Sequence, residues 1–280
     1  MFGRKQSLTA AQNCALVCCA VLSMRDIGPK AIMRMDIPGQ KPQFGRELLA
    51  KHYDISDSHT ANETIGNLAQ IRGQVSFVSE IFDHIIGPRH YEIVRGMFTP
   101  FKAEDLPALD ISANFPLLWA DVTNNANDNL NTYLEYLHNP EESRPGATFH
   151  NITSAALVNR INKCISSFEH AVRSLKVFGY SMDELGKVNN FAALDLTHAA
   201  HAARLAAHAG FIDEAAAWKH MTTAGKAAYA TYTGWRPYLA AYFLGRAIAK
   251  SAEDFGDYGD IIRYLLRDKK SPFFLHPLKT

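Results

Sequence analysis

Asp195, His198, His201 and His208 lie at spacings of three and seven in the stretch FAALDLTHAAHAARLAAHAG, residues 191–210, and His220 follows in the next segment. In an α-helix such spacings set successive side chains along one arc, so two imidazoles and a neighbouring carboxylate would suit a divalent metal. The same residues also fit a plainer reading, as polar groups on a packed or solvated helix surface. No spacing here fixes three ligands, so the residues call for no metal and no cofactor. A metal alternative would rest on His198 and His201.

A second group is aromatic. Trp218, Trp235, Tyr238 and Tyr242 recur near helical spacing, ahead of Gly245 and Arg246. Such rings line either a core or a ligand pocket, and helical spacing favours the core. Gly245 allows a close helix crossing, while Arg246 could bind a buried carboxylate such as Asp195. The usual catalytic signatures are missing: the sequence has no P-loop, GxGxxG, HExxH, GxSxG or CxxC. The run GYSMD, residues 179–183, lacks the final glycine of a nucleophile elbow, and Ser181 with Glu184 reads as a capping box.

The elements that must carry these residues are helices. The first runs over 191–209, with Leu196, Ala199, Ala200, Ala203, Ala206 and Ala207 on a buried face and Thr197, His198, His201, Arg204 and His208 on the other. Alanine lets another backbone come close, and Gly210 supplies a left-handed stop. Asp213 caps a second helix whose stripe is Trp218, Met221, Ala224, Gly225, Ala228 and Tyr229. Thr233 and Gly234 break the chain before a third helix, which tolerates Pro237 in its first turn. Three such helices with short connections pack as a bundle or orthogonal array.

These segments also carry a resemblance. LDLTHAA, then DEAAAW ending at Trp218, then GWRPYLAAYFLGR with Trp235, Tyr242 and Arg246 resemble the signature of a bacterial family known as domain of unknown function 1266. The stretch LLAKHYDISDSHTANETIGNLAQIRGQVSF, residues 48–77, is similar to that family's N-terminal half. Two positions depart from the pattern: His198 stands where the family has an arginine, and Leu194 where it has an aromatic. The resemblance implies an all-helical fold and no established reaction.

Elsewhere the chain keeps to the same class. Thr9 with Gln12 opens a helix through the apolar run 14–24, which reads as a core helix rather than a signal peptide and is too short to span a bilayer. Cys14, Cys18, Cys19 and Cys164 have neither zinc spacing nor disulfide density, which fits a reducing, cytoplasmic location. Residues 28–45, with Pro29, Pro38, Gly39 and Pro42, form a candidate mobile loop. Thr60 with Glu63 reads as a capping box for a helix through Ile71. Residues 100–149 are irregular apart from a helix over 128–138, and 152–178 return to helix with Leu157, Ile161, Cys164, Ile165, Phe168 and Leu175 as core. The expectation is an all-α, irregular multi-helix bundle or orthogonal array of about ten helices with little or no β structure. It forms a single mainly helical domain over 1–280, with possible lobes 1–99 and 150–270 joined by 100–149.

Lys and Arg number 29 against 28 Asp and Glu, so a formal charge of +1 gives no general reason to expect nucleic acid or an anionic membrane as partner. Positive charge does concentrate at the two ends, at Arg4 with Lys5 and at Arg267 with Lys269 and Lys270. Two functions from different classes follow. The preferred one is a protein–protein interaction module, for example a toxin-neutralising or adaptor protein. The alternative is a metal-dependent hydrolase or toxin enzyme using Asp195, His198 and His201. They differ in whether those side chains converge in one cleft.

Overall fold

Burial on every side of one alanine-rich helix sets the architecture. In the computed structural model, which describes residues 8–102, 104, 105, 115–124, 148–250 and 258–279, each residue from Phe191 to Ala206 is buried. Through Ala206 the helix Ala192–Ala209 therefore has no solvated face, and Asp195, His198, His201 and Arg204 sit inside with its alanines, while Ala207 and His208 reach partway to the surface. Packed around it are the helices Ala10–Cys18, Ala20–Asp26, Pro42–Tyr53, Ser58–Ala69 and Glu214–Thr231. A two-faced pattern was expected; small side chains instead admit neighbours all round, which leaves nowhere for water.

Glycine and alanine set how near those neighbours come. A Cβ at Gly45 would lie 3.0 Å from the Leu205 carbonyl oxygen and 3.3 Å from the Ala209 nitrogen. At Gly245, where the sequence implied a close crossing, it would lie 3.2 Å from the Phe191 Cβ. At these distances a methyl would fit only if its neighbours moved back by a few tenths of an ångström.

Helix ends follow local rules in most places. Thr9 Oγ1 accepts the Gln12 amide at 3.2 Å while the Gln12 side chain accepts the Thr9 amide, completing the expected capping box. Ser181 with Glu184 does the same for Met182–Gly186. Asp213 accepts the Ala216 amide at 2.7 Å, and Gly210 closes the central helix at φ 78°. Ser58–Ala69 differs from expectation. Its cap is Asp57, which accepts the Thr60 amide at 2.8 Å, so Thr60 sits at the third helical position instead of pairing with Glu63 as cap. The two boxes overlap in sequence, and the one opened by the aspartate forms.

The chain divides into two compact units. The described parts of the first lie within Met1–Val75, Asn190–Gly245 and Asp254–Thr280; those of the second lie within Ser76–Asn189 and Arg246–Glu253. In the second unit the long helix Thr148–Val177 buries Leu157, Ile161, Cys164, Ile165, Phe168 and Leu175, as its stripe required. His90–Arg95 and Pro116–Asn124 pack against it. The helix expected over 128–138 and most of the irregular stretch 100–149 lie outside the described residues. Among the described residues there is no strand, and no helix is long and apolar enough to cross a membrane.

Candidate functional site

The polar residues of the central helix are all engaged, but with different partners. Asp195 is fully buried, and its two oxygens accept the amides of Gly73 at 2.7 Å and Gln74 at 2.8 Å. It thus caps the start of Gln74–Ile81 from 121 positions away in sequence. Burial raises its pKa to about 6, against the pull of the Gly73, Gln74 and Val75 amides. The partners of this carboxylate are backbone amides, where the sequence had offered Arg246. Arg246 itself is buried on the helix Trp235–Lys250.

Nearly two turns further along, His201 Nε2 donates to Asp26 Oδ2 at 3.0 Å. Arg25 grips the same carboxylate through Nε at 2.5 Å and Nη2 at 2.9 Å, and donates through Nη1 to the Tyr258 hydroxyl at 2.6 Å. Burial alone would raise the Asp26 carboxyl, yet the hydrogen bonds from His201 and Arg25 hold it well below the usual carboxylate range. Burial lowers the pKa of His201, although the hydrogen bond and charge of Asp26 oppose it. Its Nδ1 is buried without a hydrogen-bond partner. His198 turns elsewhere, with Nδ1 3.1 Å from the Tyr53 hydroxyl and its ring set edgewise to Tyr53 and tilted against Tyr242.

Arg204, which the sequence placed on the polar face without a partner, is the largest fully buried side chain among the described residues. Its guanidinium donates to the carbonyls of Ala31 (2.6 Å), Asp36 (3.1 Å) and Met35 (3.3 Å) and to the Ser23 hydroxyl (3.0 Å). These bonds pin residues 31–36 inside the loop that composition had marked as mobile. The planar fork of arginine suits several fixed carbonyls at once. His208 lies near the surface and donates to the Lys41 carbonyl at 3.0 Å, tying down the same loop further on.

Asp195, His198, His201 and His208 therefore share a helix and no common partner. Among the described residues no group of three or more His, Cys, Asp or Glu side chains could hold a metal. Each of the four is instead placed to join the central helix to a different neighbour.

The aromatic candidates also separate. Tyr238 and Tyr242 are core residues, and Tyr238 shares a 2.8 Å hydrogen bond with Thr197. Trp218 is half-buried and donates to Glu214 at 3.0 Å, and Tyr229, read as part of the same stripe, is 55% exposed. That helix packs through Met221 and the small residues Ala217, Ala224, Gly225 and Ala228, and the rings of Trp218 and Tyr229 stand at the edge of the contact.

Trp235 leads to a concavity that the sequence did not disclose. Its indole Nε1 donates to the His276 carbonyl at 2.7 Å, and its ring stacks on Phe273 with centroids 5.5 Å apart. Together with Leu265, Leu266 and Leu278 these rings line a groove of about 230 Å³, flanked by Arg236 and Lys279. Phe274, on its rim, is 53% exposed, and the adjoining Leu275 is 59% exposed. The walls are fixed: the Ser271 hydroxyl donates to the Leu265 carbonyl at 2.9 Å, and the Tyr264 hydroxyl to the Lys270 carbonyl at 3.3 Å. Pockets for drug-sized ligands run to about 300–1,000 Å³, so this one suits a single large side chain.

A family model described as "Protein of unknown function (DUF1266)" matches residues 48–278. No curated protein and no solved structure matches the chain.

Proposed function

We propose that this chain, which belongs to the DUF1266 family of proteins of unknown function, is a protein–protein interaction module that docks its partner at the groove beside Trp235. The observation that carries the reading is the pairing of a fixed apolar groove with exposed Phe274 and Leu275 at its edge. Isolated exposed apolar side chains need no explanation, but apolar groups gathered at a concavity are what a partner's anchor residue fills. The enzymatic alternative needs Asp195, His198 and His201 to converge, and each of these has a separate structural partner. An adaptor or toxin-neutralising role in a bacterial cytoplasm fits a module of this kind, and the four cysteines, all free thiols, fit a reducing compartment.

Co-purification tests the reading. A partner recovered in stoichiometric amount with the tagged chain should be lost on the double substitution Phe274→Asp and Leu275→Asp, while the urea unfolding midpoint stays unchanged. A partner retained in full by that variant would place the interface elsewhere and overturn the assignment.

A further inference from the structure

A chain of hydrogen bonds crosses three elements of the first unit. His201 on the central helix donates to Asp26 at the end of Ala20–Asp26, Arg25 grips both oxygens of that carboxylate, and its Nη1 donates to the Tyr258 hydroxyl at 2.6 Å. Tyr258 immediately precedes the helix Gly259–Arg267, which packs against Ala20–Asp26. At their side chains His201 is 1% exposed and Asp26 8%, against 22% for Arg25. The cluster is therefore closed at the histidine and open at the arginine.

The imidazole is placed for one charge state. Because Asp26 is held anionic, His201 Nε2 is the donor between them, which leaves the lone pair on Nδ1, buried and without a partner. A second proton would go to Nδ1, where no acceptor meets it, and would set a new cation beside Arg25 and Arg204 with Asp26 as the opposing charge. The other titratable groups about the cluster are His52 and Tyr53 on Pro42–Tyr53, Tyr242 on Trp235–Lys250, Tyr258, and Cys19 ahead of Ala20–Asp26. His52 is pulled down by burial and by Arg25, while burial pushes Tyr53 and Cys19 up, so these three bring no second anion.

We propose that this chain of bonds is an acid-sensitive latch. A proton taken from solvent at His201 Nδ1 sets a second full cation against Asp26, Arg25 gives up the carboxylate, and its tie to Tyr258, which seats Gly259–Arg267 on Ala20–Asp26, is released. Arg25 is the cation that leaves, because its side chain already reaches solvent while His201 is enclosed. Burial sets the His201 pKa below the ordinary 6.5, so the latched state is favoured above pH 6.5 and loses stability as pH falls below it. The latch concerns the seating of one helix and holds whatever the groove binds.

The test uses the full chain and two readouts: the NMR titration of the His201 ring, assigned with His201→Gln, and amide hydrogen exchange of Gly259–Arg267, expressed as protection factors at pH 7.5 and 5.5. Glutamine keeps a donor for Asp26 and takes up no proton. His201 should titrate with a midpoint below 6.5, and protection of the helix should fall about tenfold on acidification in the wild type and less than about twofold in His201→Gln. His90 and His220 are also lowered by burial, so the comparison with the variant, and not the pH profile alone, isolates His201. Tyr258→Phe removes only the accepting hydroxyl, and should lower protection at pH 7.5 and abolish the further loss at 5.5. A His201 midpoint at or above 6.5, or equal changes in protection in the wild type and His201→Gln, would overturn the latch. If the glutamine variant does not fold, a loss on acidification in Tyr258→Phe as large as that of the wild type overturns it instead.

Discussion

Asp195 shows what a single buried side chain does in this fold. Gly73 and Gln74 open a helix whose first amides need an acceptor, and no residue beside them supplies it. Asp195 does so from the central helix at the cost of burying a carboxyl, which is why its pKa rises to about 6 from 3.8. A carboxyl that titrates higher in the folded state adds stability that is complete below pH 4 and is lost as pH rises through 6. The stability of the wild type relative to Asp195→Asn, measured by urea unfolding, should therefore fall by about 2–3 kcal/mol between pH 4 and pH 7. A difference that grows over that interval would show that the amides stabilise the carboxylate more than burial penalises it. Asp26 does not blur the comparison, since its lowered pKa confines its own loss of stability to the region below pH 4.

At the scale of elements, most contacts made within three or four residues were legible in the sequence, Thr60 being an exception because Asp57 caps in its place, and most distant ones were not. The caps at Thr9, Ser181 and Asp213 and the stop at Gly210 depend on near neighbours, and each forms as the local pattern requires. The acceptors of Arg204 lie 168 to 181 positions away, so no local pattern could identify it as the anchor of the loop over 28–45. Helical periodicity failed on the central helix for another reason. It sets a polar arc, not cleanly solvated because Leu194 and Leu205 fall in it, opposite the buried face, whereas small alanines let neighbours close over both through Ala206. Arg204→Met leaves three carbonyls and a hydroxyl without their donor. It should lower unfolding stability by at least about 3 kcal/mol and open Lys30, Arg34 and Lys41 to trypsin in the folded protein. Cleavage at those sites no faster than in the wild type would show that the loop is held by something other than this guanidinium.

For the molecule as a whole, chemistry and structure divide along lines the sequence only half disclosed. Its polar signature drew attention to the central helix, where Asp195, His198, His201 and Arg204 hold neighbouring elements together. The groove beside Trp235 was illegible because it is assembled from three separated pieces of chain, 234–236, 265–266 and 273–279, that meet only in the fold. On this account the buried polar network maintains the scaffold and the C-terminal groove makes the contact with a partner.

Site-specific photo-crosslinking in cells tests that division most directly, with a photoreactive phenylalanine analogue placed at position 274 or, as control, at exposed Lys226 on the helix Glu214–Thr231. The account predicts a discrete covalent adduct from position 274 and none from position 226. Adducts in equal yield from both positions, or from neither, would contradict it.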